Sequence, residues 1–313
     1  MSEKLETQDS KEISNVEEEM DITPYMKTLK VDREMISACN AIRDRIEIKF
    51  DMVICVDGEE GIGKSNLAIL LGWMLSKHFC LEKNISYLPT TKEMENKFWS
   101  INSKEALVVD EAIKALYKLN FMNKFQTRIN EMYATERWQQ KVTILCIPRF
   151  TDLNEFFRND RVKFWIHVVD RGLAVVFAKD TVNLWGNDRW HLKEEYKNVL
   201  YQVRRKKYVE VTNDDKLAIY KKSQHFAFAF NFPILPTEVE AAYVRKKSFY
   251  RTVPEEKERG FKFDVVSKGF EAGLSGREIH GITGLPEAMI SKLKAKRTDV
   301  RVVSKRVIDS IGI

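Results

Sequence analysis

The stretch Gly58-Glu-Glu-Gly-Ile-Gly63-Lys64-Ser65 constrains this chain more than any other part of it. It meets every fixed position of G-x-x-x-x-G-K-[ST]. The apolar run Met52-Val-Ile-Cys-Val-Asp57 precedes it, and a Leu- and Ala-rich stretch over 64–79 follows. A short apolar run ending in a glycine loop predicts a buried parallel strand, and the stretch after it a helix. Glycines let backbone N–H groups turn inward around phosphate oxygens. The start of the helix adds partial positive charge. Lys64 is then expected to reach the β- and γ-phosphates, and the Ser65 hydroxyl to ligate Mg²⁺. The expected nucleotide contacts are Gly58, Glu59, Glu60, Gly61, Ile62, Gly63, Lys64, Ser65 and Asn66. A chance glycine loop would need neither the strand before it nor the helix after.

A second apolar run, Ala106-Leu-Val-Val, ends in Asp110-Glu111. An Asp at the tip of a buried strand can hold Mg²⁺ through water, and the adjacent Glu can act as general base on an attacking water. The other reading is an ordinary surface turn. A water-activating Glu favours an ATP hydrolase over a small-molecule kinase, and the absence of N-K-x-D argues for adenine over guanine.

The pattern continues in alternation. A weak strand is expected near 85–88, helices over 91–100 and 124–140, and strands at 142–147, 162–169 and 173–178, the last two joined by a turn at Asp170-Arg-Gly172. Such alternation predicts an α/β fold, a mainly parallel sheet flanked by helices, over about 25–200.

From Gly58–Ser65 through Asp110-Glu111-Ala112 to the strand at 142–147, the chain resembles an ATPase core of the RecA-like and AAA+ division of P-loop NTPases. Within it, the chain is most similar to the FtsK–HerA superfamily and its viral DNA-packaging and Zot-like relatives. Arg137 before Val142, and the segment Asp152-Leu-Asn-Glu-Phe-Phe-Arg158-Asn-Asp-Arg161, carry the likeness. The resemblance covers about residues 50–175. It implies a homo-oligomeric ring in which an arginine enters the neighbouring subunit's site. Arg158 is the first candidate, with Arg161 and Arg149 behind it; the alternative is surface arginines that hold carboxylates. A guanidinium there would stabilise the transferring phosphoryl group. One departure stands out. The strand at 142–147 should end in a polar sensor, but here reads Cys146-Ile147-Pro148-Arg149, which leaves Thr151, Arg149 or no sensor.

Bases and rings interleave at Tyr117-Lys118, Phe121, Lys124-Phe125, Arg128, Tyr133, Arg137-Trp138 and Lys141. Either this is an amphipathic helix with its aromatics in the core, or it faces a pore and touches DNA. Val203-Arg-Arg-Lys-Lys-Tyr208 and a helix over 236–251 bearing Arg245-Lys-Lys247 suggest a basic helical connector over 201–258. Beyond Pro254, Ser275 is placed to cap a helix running to Thr283, with Glu278 at the reciprocal position. Gly284 supplies a turn and Pro286 opens a second helix. Ile279, Leu285, Ile290 and Leu293 take the apolar positions that lock two such helices. Residues 259–313 thus resemble a helix-turn-helix domain. Its second helix would offer Ser291, Lys292 and Lys294 to a major groove, and Lys296 and Arg297 to phosphates; His280 stands where a small residue is usual. A three-helix module that binds no DNA is the other reading.

Charge follows the same division. Residues 1–21 hold eight acids and two lysines, and 1–24 is expected to be a flexible acidic arm. Of the total of +6, residues 201–313 carry +9. No apolar run reaches the roughly 18 residues of a membrane span, and no signal pattern opens the chain. The four cysteines form no close pair and the five histidines no ligand spacing, so a cytoplasmic protein without disulfides or structural metal is expected. The expected function is an oligomeric, DNA-binding ATPase that moves or packages double-stranded DNA with ATP and Mg²⁺. The alternatives are an ATP-dependent switch in replication initiation, partition or transcription control, and, more weakly, a small-molecule kinase.

Overall fold

In a computed structural model the strand before the glycine loop is β1, Met52–Gly58, buried at every position. The described residues are 20–87, 90–118, 124–179, 189–192 and 212–250, with 266, 270, 274–283, 290, 291 and 294. β1 pairs in parallel with β4, Val142–Ile147, on one side and with β5, Val162–Asp170, on the other. β4 pairs with β3, Ala106–Val109, and β3 with the short β2, Ile85–Ser86, again in parallel. Runs such as Val-Ile-Cys-Val and Val-Thr-Ile-Leu-Cys-Ile suit strands covered on both faces. β6, Leu173–Ala178, turns back antiparallel on β5 through Gly172 at φ +81°. The sheet order is β2-β3-β4-β1-β5-β6-β7, and this mainly parallel sheet with its loop after β1 is a P-loop NTPase fold.

Among the described residues, several helices pack against it. α1, Arg33–Glu47, starts at Asp32, whose carboxylate accepts from Glu34 N–H and, with its other oxygen, from Asn231 N–H at 2.9 Å. α2, Lys64–Leu75, follows the glycine loop and is apolar on all sides, as a helix pressed against a sheet requires. α3, Thr91–Ser100, is capped by the Thr90 hydroxyl. α4, Lys124–Thr135, buries Ile129, Met132 and Tyr133. It ends before the expected 140: Glu136–Gln139 tighten into a 3₁₀ turn, and Gln140 at φ +57° redirects the chain into β4.

Two expectations are corrected here. Residues 226–231 lie in the stretch read as a helical connector, yet Phe226–Asn231 is strand β7, paired with β6. Phe-Ala-Phe-Ala-Phe alternates with the period of a strand. The capped helix α5, Asn213–Tyr220, precedes it, and helix α6 spans 237–250. The second correction concerns the arm. Residues 1–19 and the basic run 203–208 lie outside the described residues, but Ile22, inside the expected arm, is buried, as is Met26 just beyond it.

The chain divides into compact units at Met1–Lys247 and Ser248–Ile313. In the second, α7, Gly276–Thr283, carries the predicted capping box: Glu278 N–H donates to Ser275 Oγ and Ser275 N–H to Glu278 Oε2. Val266, Ile279 and Ile290 form its apolar cluster. Among the described residues no helix is long and apolar enough to cross a membrane.

Candidate functional site

The glycine loop sits at the carboxyl end of β1. Gly58 and Gly63 hold φ of +147° and +104°. A Cβ on Gly58 would lie 2.8 Å from the carbonyl oxygen of Val168 on β5, so glycine is required by both conformation and space. Lys64 opens α2, and its Nζ donates to the loop carbonyls of Gly58 at 2.9 Å and Glu59 at 2.5 Å. Burial pushes its ammonium below the usual lysine range, against the opposing pull of Cys146, Asp57, Glu60 and Asp110.

Ser65, one residue on, donates its Oγ to Asp110 Oδ1 at 3.0 Å. Asp110 caps β3 and is 2% exposed. Its Oδ2 accepts from the Tyr243 hydroxyl at 2.7 Å and lies 2.6 Å from Lys247 Nζ, both on α6. Burial, and next the charge of Asp110, push the Tyr243 phenol well above its usual range, so it donates at any working pH. Glu111 follows at φ +53°, a left-handed conformation uncommon for a residue with a Cβ. The turn is held by Ala112 N–H on the Cys146 carbonyl at 2.8 Å. The Glu111 carboxylate pairs with Lys114 at 3.0 Å and Lys247 at 3.3 Å.

Two hard oxygen donors, Ser65 Oγ and Asp110 Oδ1, therefore meet beside the loop. Among the described residues no cluster of three or more His, Cys, Asp or Glu could hold a metal. This sparse set suits Mg²⁺, which binds through one or two protein oxygens and takes the rest of its shell from phosphates and water.

On the other side of β1, Asp57 is 5% exposed and accepts from Trp165 Nε1 at 2.6 Å and Phe150 N–H at 2.9 Å, with His167 Nδ1 at 2.8 Å. Phe150 follows Arg149, so Asp57 fixes the segment after β4. Arg149 is exposed. Arg161 is buried and paired with Asp51. Arg158 is half-buried, with Nη1 on the carbonyls of Thr151 at 3.4 Å and Leu153 at 3.3 Å. In the base-and-ring segment, Tyr133 bonds Thr143 inside the core, Arg128 pairs with Glu95, and buried Lys141 donates to the Phe98 carbonyl. Trp138 is exposed.

Ser291 and Lys294 are exposed, and Lys294 Nζ lies 4.9 Å from the Phe270 ring centroid. Lys292, Lys296 and Arg297 lie outside the described residues. Sequence reasoning missed Asp57, Tyr243 and Lys247. A lone Asp closing an apolar run was the available signal for the first. Lys247 lay in a basic run counted toward DNA, yet Lys246 and Lys247 both meet acids, Glu82 and the Asp110-Glu111 pair.

No protein-family model and no curated protein matches the chain. Among solved structures it is similar to a RuvB mutant from Thermotoga maritima, at TM-score 0.32 and 18% identity over 44% of this chain and 46% of that one. The N-terminal domain of zonular occludens toxin from Neisseria meningitidis gives 0.29 and 15% over 41% and 83%. The genome packaging NTPase of Sulfolobus turreted icosahedral virus 2, in complex with AMPPCP, gives 0.30 and 10% over 42% and 93%. The chain spans about half the length of the RuvB it matches.

Proposed function

We propose that this chain is a Mg²⁺-dependent ATPase that works on double-stranded DNA as a homo-oligomer, in the manner of a translocase or packaging-type motor. One observation carries the catalytic part. A hydroxyl and a carboxylate 45 residues apart, Ser65 and Asp110, meet at 3.0 Å beside a glycine loop, with Glu111 next in the chain. Bound there, Mg²⁺ would neutralise charge building on the phosphate oxygens. Lys64 exchanges the loop carbonyls for the β- and γ-phosphates, since its ammonium already lies at the loop. The Glu111 carboxylate orients the attacking water and takes its proton. For the arginine that acts on a neighbouring subunit, we place Arg149 ahead of Arg158. Arg149 is exposed on the segment Asp57 holds, while Arg158 is engaged with its own loop.

The DNA part rests on the net +9 beyond residue 200 and on the helix-turn-helix pattern. In it Ser291, Lys292 and Lys294 would face a groove and Lys296 and Arg297 phosphates. The test is ATP turnover with and without duplex DNA, alongside native mass. We expect an oligomer whose rate rises with DNA length. DNA-independent turnover with no DNA bound at moderate salt would remove the DNA reading, and slow turnover with a sequence-specific footprint would mark a switch. Glu111→Gln should retain ATP binding and lose turnover by about 10²- to 10⁴-fold. Retained turnover would take Glu111 out of the mechanism.

A further inference from the structure

We infer that Tyr243 and Lys247, one helical turn apart on α6, are positioning residues for the two acids that follow β3. The inference rests on the ATPase reading above. Asp110 has two oxygens with different neighbours. Tyr243 Oη and Lys247 Nζ both engage Oδ2, at 2.7 and 2.6 Å, which turns Oδ1 toward Ser65. Lys247 Nζ also lies 3.2 Å from the Tyr243 hydroxyl, so the two side chains support each other. The same ammonium reaches Glu111 Oε1 at 3.3 Å, while Lys114 takes Oε2 at 3.0 Å. One cation therefore spans both carboxylates. Glu111 stands on a strained backbone, where a carboxylate without side-chain restraint would sample several rotamers.

The supporting helix is built to hold this geometry. Val239 and Ala242 are buried on the same side as Tyr243, the Tyr243 ring lies 5.8 Å from that of Tyr87, and Lys246 pairs with Glu82 beside β2. The Lys247 side chain is 22% exposed and Asp110 only 3%, so their attraction is screened less than that of a surface pair. Misaiming a reacting group by a fraction of its length costs rate more than binding. Tyr243 and Lys247 thus act through Asp110 and Glu111, and neither needs to touch substrate.

The test uses the full chain and the variants Lys247→Met, Lys247→Arg and Tyr243→Phe. Two measurements are made, kcat and KM for ATP, and a double-mutant cycle of Lys247→Met with Glu111→Gln in chemical unfolding, which needs no nucleotide. We expect Lys247→Met to lower kcat about tenfold with KM within about twofold. Lys247→Arg should recover kcat to within about threefold, because a cation again spans both acids. The cycle should show coupling of about fivefold in the unfolding equilibrium constant. Tyr243→Phe should lower kcat less than Lys247→Met, since Lys247 keeps Oδ2. Wild-type kcat in Lys247→Met, or equal losses in the Met and Arg variants, overturns positioning. Absence of coupling overturns the contact itself. Absence of turnover in the wild type would instead sink the ATPase reading, and the cycle still decides whether the cation spans the acids.

Discussion

Asp57 and Asp110 are both buried carboxylates at strand tips, separated only by β4, and each has three polar neighbours. Their surroundings differ in kind. Asp57 faces an indole, an imidazole and a backbone N–H, all fixed by packing: the Phe150 and Trp165 rings stack at 4.5 Å. Asp110 faces two hydroxyls and the tip of a lysine. An indole or backbone N–H can only donate, whereas a hydroxyl rotates between donor and acceptor. The same buried acid thus sets a frame at one strand and stays exchangeable at the other. In the proposed ATPase, the exchangeable acid is the one that would take and release Mg²⁺, and the framing acid holds the segment beside it.

The frame has a use that the two arginines can expose. Asp57 holds Phe150 N–H, and Arg149 is the residue before it. Arg149→Ala should lower turnover of the assembled protein by about 10³-fold and leave unfolding within about 0.5 kcal/mol. Arg158→Ala should do the reverse, costing about 1 kcal/mol or more of stability because two carbonyls lose their donor, with turnover little changed. Rate assays and denaturant melts on both variants decide between them. If Arg158→Ala loses the turnover and Arg149→Ala does not, Asp57 frames nothing catalytic.

The acids themselves give the next largest effect. Asp57→Asn sets its amide NH₂ against either the Trp165 indole or the Phe150 N–H, neither of which can accept, and should cost about 3 kcal/mol. For a unit of this size that lowers the melting temperature by roughly 6–12 °C. Asp110→Asn keeps an oxygen for one hydroxyl and lets the other rotate. Lys247 loses the charge of Asp110 but keeps that of Glu111, so stability should fall by about 1–2 kcal/mol, while Mg²⁺-dependent ATP binding weakens about tenfold or more. Thermal melts and titrations with a slowly hydrolysed ATP analogue measure the two. Equal losses of stability would erase the distinction between a framing and an exchangeable acid.

How much of this was legible in the chain depended on sequence distance. Gly58–Ser65 and Asp110-Glu111 were readable because each packs its chemistry into consecutive residues. The parallel strands followed from apolar runs of four to six residues. Ser275 and Glu278 were readable as a cap for the same reason, being three residues apart. β7 was not expected because basic residues around it suggested a connector, although Phe-Ala-Phe-Ala-Phe carried the strand period. Lys247 was out of reach. Nothing local separates a lysine that will meet Asp110 across the fold from one that stays in solvent, and its neighbours Arg245 and Lys246 pointed toward DNA. Asp57 had the opposite problem, since its three partners lie 93 to 110 residues away.

The capping box of α7 gives the smallest effect and the sharpest contrast with the buried acids. Glu278 has local partners and full exposure, so its contribution should be slight and easily titrated. The backbone and hydroxyl bonds of Ser275 hold its carboxyl below the ordinary 4.5. The sign follows: a depressed carboxyl stabilises the helix above its unfolded pKa and loses that contribution as pH falls through the folded one. Protection of α7 amides from hydrogen exchange should therefore decline on acidification below about 4.5. Ser275→Ala should lower it about fivefold at neutral pH and flatten that acid dependence. Because the contacts span only three residues, β1 to β5 should exchange as before. A change there would mean that a cap on α7 matters to the sheet, which the local reach of its hydrogen bonds does not allow.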